Sequence, residues 1–366
     1  MRILRVAQKV YPDVKGGGPY HVHAMSRDQA AMGHDVTVVT VRTDPGEPHT
    51  EERDGYTVVR YDPVASPLGN DLSPGLAQYL AAAADFDVIH AHSHLYAATN
   101  LAALKRFLGD TPLAITNHGL YSQNAPEWVF DLYLRSIGRW TFNQADVVFC
   151  YTETDRERVR EFGVSSRIEV VSNGIDTERF TPAGPESELI DSEGPVVLFV
   201  GRLVEGKRPE LVLEAFERLA DSKAELYFCG TGALRSVLEE RAGSNVTFLG
   251  SVPYGEMSSV YRGADLLVLA SRAEGVPRTI MEALSTGVPV VSSDLPQVRS
   301  TFGDSVTYVS EVTPEAVARR IRRKLEGETT PTLDDAFRWE RTVEETTEVL
   351  VELGTRAPRE LQGVGG

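Results

Sequence analysis

Cysteine, lysine and long apolar runs are all scarce in this chain, and each scarcity narrows what the protein can be. Two cysteines occur in 366 residues, Cys150 and Cys229, and each closes a short apolar run, VVFC and LYFC. A reduced thiol packs as a small hydrophobe in such places, so no disulfide framework is expected. No apolar stretch approaches the roughly 18 residues that a membrane-crossing helix needs. The opening MRILRVAQKV is too short and too interrupted for a secretion signal, and a cytoplasmic location is expected. Lysine is short as well: six lysines stand beside 31 arginines and 53 acidic residues, for a formal charge of −16. Such a surface repels nucleic acid and anionic membranes, which argues against either as the main partner, although a local basic patch is compatible with it. The same balance fits adaptation to high salt and fits equally a solubilising surface written by a GC-rich genome.

What the chain does have is length, a hydrophobic content of 42%, and short β-rich runs alternating with helix-length segments. The first half carries RILRVA, DVTVVTV, YTVVRY, DVIHAH, LAIT and DVVFCY; the second carries PVVLFVG, ELYFCG, NVTFLG, DLLVLA and VPVVSS. Near-continuous Val/Ile/Leu strands separated by helices predict parallel sheets covered on both faces, an α/β class. Between the halves, TPAGPESELIDSEGP at 181–195 reads as a linker of Pro, Gly, Ser and acids. Two Rossmann-like domains facing across a cleft are therefore expected, the first over 1–181 and the second over 182–335. A final helix, from about Leu333 to Leu353 with its body at 336–354, follows GETTPT and is expected to pack back onto the first domain. The tail RAPRELQGVGG has a disordered composition.

Chemistry in open parallel sheets belongs to the loops after the strands. Gly16, Gly17 and Gly18 follow the first strand and precede a helical run, where backbone N–H groups could receive a diphosphate; a plain flexible turn reads equally well. The spacing is not that of a dinucleotide fingerprint, which disfavours a nicotinamide enzyme. Gly201–Arg208 (GRLVEGKR) nearly spells a phosphate-binding P-loop but ends on Arg208, where a magnesium-holding Ser or Thr belongs, so an NTPase is rejected. Arg202 and Lys207 survive as two cations at a strand-end loop, or as a solvated surface pair. Glu274 lies in a loop after DLLVLA and Glu282 in the helix that follows, placed to grip different parts of one elongated ligand. Glutamates also collect at helix starts for dipole reasons alone. His90, His92 and His94 alternate and could share one strand face, but no carboxylate or cysteine has matching spacing, and no metal is expected. His118, in TNHGL, stands where ligands bind.

Taken in order, GGGPYHVHAMSRDQAAMGHDVTVVT, DVIHAH, TNHG, VSNGIDTERF, FVGRLVEGKRPELVLEAF, CGTGALRSVLEE, VTFLGSVPYGEM and EGVPRTIMEALSTGVPVVSSD resemble retaining glycosyltransferase family 4 over nearly the whole chain. The resemblance implies a GT-B fold and transfer of a sugar from a nucleotide-diphosphate sugar, with retention and without a metal or other cofactor. It implies that Arg202 and Lys207 neutralise the diphosphate, Glu282 binds the ribose and Glu274 the transferred sugar. Gly17 and Gly18 would offer N–H groups to the phosphates, His118 would approach the reacting carbon, and Gly275 and Val276 would belong to the donor loop. Asn173 and Gly174 read as structural or cleft-lining. Many members carry Glu-Gly-Phe-Gly where this chain has Glu274-Gly275-Val276-Pro277, and the proline removes an N–H. The acceptor class stays open among a glycan, a lipid-linked hydroxyl and a small metabolite, with peripheral membrane contact at the inner face among the options. A sugar-nucleotide epimerase and a non-catalytic nucleotide-sugar binding subunit are the competing readings.

Overall fold

The computed structural model describes residues 1–120, 127–219, 223–327 and 337–355. It divides into two compact units, Met1–Ser172 with the chain from Thr342 onward, and Asn173–Arg341.

The first unit runs β1 (Arg2–Val6), α1 (Gly17–Ala31), β2 (Asp35–Val41), β3 (Thr50–Arg53), β4 (Tyr56–Tyr61), α2 (Pro74–Ala82), β5 (Val88–His92), α3 (Ala97–Leu108) and β6 (Leu113–Thr116). It continues through α4 (Glu127–Tyr133), a π-helical turn at Leu134–Gly138, α5 (Arg139–Gln144), β7 (Val147–Cys150), α6 (Glu153–Glu161) and β8 (Arg167–Val170). Its sheet has the order β3-β4-β2-β1-β5-β6-β7-β8, parallel throughout except where β3 pairs antiparallel with β4. The apolar strands are buried on both faces because alternate residues feed opposite cores. Leu4, Val6, Ile89, Ala91, Leu113 and Ile115 enter one cluster. Ile3, Val36, Val88, Ala114 and Val147 enter the other.

The second unit runs β9 (Val196–Val200), α7 (Pro209–Glu217), β10 (Glu225–Cys229), α8 (Arg235–Arg241), β11 (Val246–Gly250), α9 (Met257–Arg262) and β12 (Leu266–Leu269). Then come α10 (Arg278–Ser285), β13 (Val290–Ser293), α11 (Pro296–Phe302), β14 (Thr307–Val309) and α12 (Pro314–Leu325). The order β11-β10-β9-β12-β13-β14 is all parallel. Counted from β9 it is the 3-2-1-4-5-6 order of a doubly wound fold, whose switch point lies between β9 and β12. In the first unit the chain likewise reverses direction across the sheet between β1 and β5. Helix starts are written locally: α2, α7, α11 and α12 each carry a proline in the first turn, and Ser73 and Thr313 cap α2 and α12 through their hydroxyls.

The last helix, α13 (Trp339–Thr355), lies with the first unit from Thr342 on. Leu350 and Leu353 are buried beside Ile3, Val36 and Val88, and Thr347 Oγ1 accepts from Gln29 Nε2 at 2.9 Å. The expected helix start at Leu333 to 336 and the tail composition both fall outside the described residues. Truncating Leu350 to alanine should cost about 2–5 kcal/mol, as emptying a closed core site does. Urea unfolding measures this, and a loss below about 1 kcal/mol would mean the helix is not part of the first unit's core.

Candidate active site

The switch point of the second unit gathers the charged residues singled out from the sequence. The loop after β9 carries exposed Arg202 and half-buried Lys207; the loop after β12 carries Glu274, 6% exposed. Lys207 Nζ donates to Glu274 Oε1 in a short ion pair, and Ser271 Oγ donates to the same oxygen at 2.6 Å. The Arg272 N–H donates to the Gly206 carbonyl at 2.9 Å, so backbone as well as charge fastens the two loops together. Gly275 and Val276 are buried in the second loop, and Pro277 caps α10 with no N–H to give. Arg208, the residue that breaks the P-loop pattern, turns left-handed (φ 51°) to start α7.

Beneath these loops the backbone packs without room for side chains. The Gly201 N–H donates to the Cys229 carbonyl at 3.0 Å and the Gly230 N–H to the Gly250 carbonyl at 2.7 Å. A Cβ on Gly230 would sit 2.0 Å from the Gly201 carbonyl oxygen, and one on Gly232 would sit 2.3 Å from that of Leu203. Arg202 is thus presented on a ledge that exists because both positions are glycine.

Glu282 lies one helix turn into α10, fully buried. Burial pushes its carboxyl above the usual range, against the Arg278 charge and the hydroxyls of Tyr261 and Tyr254. Tyr261 donates to Oε2 at 2.9 Å and Tyr254 to Oε1 at 3.2 Å. Arg278 is the hub behind it: it donates to Tyr254 Oη at 2.8 Å and to the Gly174 carbonyl at 2.9 Å, with its guanidinium 5.8 Å from the Trp339 ring centre. Gly174 thereby anchors this cluster. Tyr254, Tyr261, Ser271 and Arg278 were not singled out from the sequence. Tyr254 did lie inside the quoted VTFLGSVPYGEM, whereas Tyr261 on α9 reads like any helical core tyrosine.

Gly18 and His118 meet in the first unit. They line a cavity of about 80 Å³ together with Gln8, Lys9, Ser93 and Tyr96, at the loops after β1, β5 and β6. Gly17 opens α1, whose first turn holds no acidic residue. Arg53 and Arg60 pin the preceding loop through Asp13, at 2.8 Å each. His118 is engaged at both ring nitrogens, Nδ1 with Tyr151 Oη at 2.8 Å and Nε2 with His92 Nδ1 at 3.0 Å. The expectation that His90, His92 and His94 share one face needs correcting. The His90 and His92 rings lie 4.4 Å apart, tilted 38° to each other, but the chain turns left-handed at Ser93 (φ 64°) and sends His94 against Phe142 at 4.7 Å. No group of three metal-ligating side chains converges among the described residues.

The chain matches the model of Glycosyltransferase Family 4 over residues 15–179 and that of Glycosyl transferases group 1 over residues 181–338. It belongs to glycosyltransferase family 4. Among curated family relatives, a glycogen synthase of Mycobacterium tuberculosis is 29% identical over 81% of this chain and 78% of its own length. A D-inositol 3-phosphate glycosyltransferase of Corynebacterium diphtheriae is 29% identical over 76% and 74%. Among solved structures, sucrose-phosphate synthase of Thermosynechococcus elongatus superposes with a TM-score of 0.79 at 19% identity, over 96% of this chain and 99% of that one. HepE of Anabaena, in complex with UDP-glucose, gives 0.76 at 18% identity over 96% and 100%. The α/β class with two parallel-sheet units, the GT-B fold, is the one found.

The histidines of the first unit make the fold acid-sensitive. Burial takes His118 down to about 4 and His94 down to about 3, and burial with the Arg5 charge and neighbouring histidines lowers His90 and His92 well below their usual value. An unfolded histidine binds a proton below about pH 6.5 while these stay neutral, so unfolding takes protons up and stability falls as pH drops from 6.5 towards 4. The slope should be roughly 1.4 kcal/mol per pH unit for each histidine, offset in part by the raised Glu282. Denaturant melts at pH 5, 6 and 7 test this; equal midpoints would refute neutral burial. Gly230→Ala should separately lower the melting point and displace the Arg202 loop, whereas an unchanged melting point would mean the loops have slack.

Proposed function

We propose that the second unit binds a nucleotide-diphosphate sugar and that the enzyme passes the sugar to an acceptor hydroxyl with retained anomeric configuration. The observation that carries this reading is the meeting of Lys207 and Glu274 at the switch point of a 3-2-1-4-5-6 sheet, where such sheets receive nucleotides. In the proposal an arriving diphosphate competes for Lys207 and releases Glu274. Lys207 and Arg202 then face the phosphates, and Glu274 accepts bonds from sugar hydroxyls. Glu282, its oxygens already aimed by Tyr254 and Tyr261, accepts from the ribose. Gly275 and Val276 shape the donor loop.

The reaction breaks the bond from the anomeric carbon to the diphosphate, and the electron pair leaves with the phosphate oxygen. Fixed cations stabilise that developing charge, the job a divalent metal does elsewhere, so the proposal needs no metal. The acceptor oxygen attacks from the face the leaving group vacates and gives its proton to a donor phosphate oxygen. The glutamates bind; neither acts as the acid or nucleophile of a retaining hydrolase. His118, neutral and tied to Tyr151 and His92, serves as a fixed wall of its cavity, and Gly17 and Gly18 serve as anion-binding N–H groups.

HepE is described in complex with UDP and with UDP-glucose, which makes uridine the first base to test. Thermal melts with nucleotide diphosphates and nucleotide sugars, without metal and at low and molar salt, should show selective stabilisation by one base. Glu282→Ala should abolish that shift. Lys207→Ala and Arg202→Ala should each lower transfer roughly 10²-fold or more with the fold intact. Near-normal rates in both, or donor epimerised without an acceptor, would overturn the assignment.

A further inference from the structure

A second opening in the first unit is used by none of these residues. It is a groove of about 610 Å³ beside α2 and α3, walled by Leu72, Leu76, Ala77, Leu101, Leu104 and Trp140. That volume is ample for a small-molecule site. The polar side chains at its edge already have protein partners. Ser73 Oγ donates to the Asp62 carbonyl at 2.8 Å, Asn100 Nδ2 donates to Thr141 Oγ1 at 2.8 Å, and Asp71 accepts from Ser66. A sugar or nucleotide would gain few hydrogen bonds here. A hydrocarbon chain needs none.

The surface around the groove is apolar in a chain that is otherwise strongly acidic. The inner face of α3 is Ala98, Thr99, Ala102 and Ala103, while Leu104, Phe107 and Leu108 project outward, the last two 63% and 75% exposed. Phe107 meets Trp140 of α5 edge to face at 6.3 Å, and α4 and the π turn add exposed Trp128, Leu132 and Ile137. From 97 to 146 the sequence has Lys105, Arg106, Arg135 and Arg139 against Asp110, Glu127, Asp131 and Asp146, a charge-balanced stretch in a chain of −16. From 63 to 84 only Asp71 is charged. Lys105 and Arg106 are held by the Ala83 carbonyl and Asp146, and Arg135 by Asp131, so the exposed tryptophan, leucine and phenylalanine side chains, not charge, give this face its character. Aromatic and aliphatic side chains of this kind lie in a lipid interface, and monomers rarely expose several together without a use.

The groove also shares a wall with the His118 cavity. Gln8, which lines that cavity, donates to the Gly69 carbonyl at 2.9 Å and accepts from the Asp71 N–H at 3.0 Å. Asn70 accepts from the Ala97 N–H at 2.8 Å, and Tyr96 lines the cavity while Ala97 lines the groove. We propose that the groove holds the hydrocarbon chain of a membrane lipid whose polar head is the acceptor, with the outer face of α3 to α5 resting on the bilayer. The inference rests on the transferase reading for the word acceptor, but not for the binding itself.

Full-length protein is floated with phosphatidylcholine vesicles, with and without phosphatidylglycerol, and its tryptophan fluorescence is read with bromine-labelled acyl chains. Flotation with quenching is expected, at least tenfold weaker in Leu104→Asp. A spin-labelled stearic acid should quench wild-type fluorescence in the absence of vesicles and lose that effect in Ala77→Phe, which fills the groove. Nucleotide-induced melting shifts, measured on the same preparations, show that the variants are folded. They also report on the donor site separately: a missing shift with intact lipid binding sinks the transferase reading and leaves the groove standing. No flotation and no quenching in wild type, or equal lipid binding in both variants, would overturn the proposal. So would a concentration-dependent mass that Leu104→Asp abolishes without any flotation, since that face would then bind a second copy.

Discussion

The second unit is organised around one ion pair that spans a topological divide. At the switch point the chain leaves β9 and β12 in opposite directions, and nothing in the sheet itself holds the two loops together. Lys207 and Glu274 do so, with Ser271 on the same carboxylate oxygen and the Arg272 N–H on Gly206. A carboxylate as enclosed as Glu274 is costly unless paired, so the pairing draws the two loops together. Burial and pairing make the site compact.

Around that pair the structure supplies rigidity from two further sources. Gly230 and Gly232 let the loops after β9 and β10 touch backbone to backbone, which fixes the ledge that carries Arg202. Arg278 ties the Gly174 turn, Tyr254 and Trp339 into one cluster behind Glu282. The first unit achieves order by another route. His92 and His118 are buried and hydrogen-bonded to each other, with Tyr151 on the second ring nitrogen of His118, so the histidine wall of its cavity is preorganised.

Most strands that read clearly in the sequence are buried on both faces, because double burial writes unbroken apolar runs; the edge strand β11 read clearly from its apolar content alone. Strands β3, β8 and β14 carried no such signal. β3 is the half-exposed TEER of an edge hairpin, β8 is RIEV with Arg167 and Glu169 paired on its surface, and β14 is three residues long. In the site, Lys207 and Glu274 were conspicuous as charged residues in loops after strands, and Glu282 as a second glutamate in the helix that follows. Tyr261 was not, since its role comes from the packing of α9 against α10, which no local spacing encodes; Arg278 stands one turn before Glu282 in α10, but its partners Gly174 and Tyr254 are far away in sequence. His94 misled for a related reason: alternation predicts a shared face only while the backbone stays extended, and Ser93 ends that.

The chain path of α13 has a consequence for synthesis. The first unit is discontinuous: it is left at Ser172 and resumed at Thr342, while the second unit is one uninterrupted stretch. On the ribosome, therefore, the unit that starts first finishes last. The second unit can complete its core while the first still shows the apolar patch of Ile3, Val36 and Val88 that Leu350 and Leu353 will cover. During that interval the nascent chain carries an unfinished sheet face, and a message cut short late in translation yields a protein whose second unit is intact and whose first unit is open to aggregation or proteolysis.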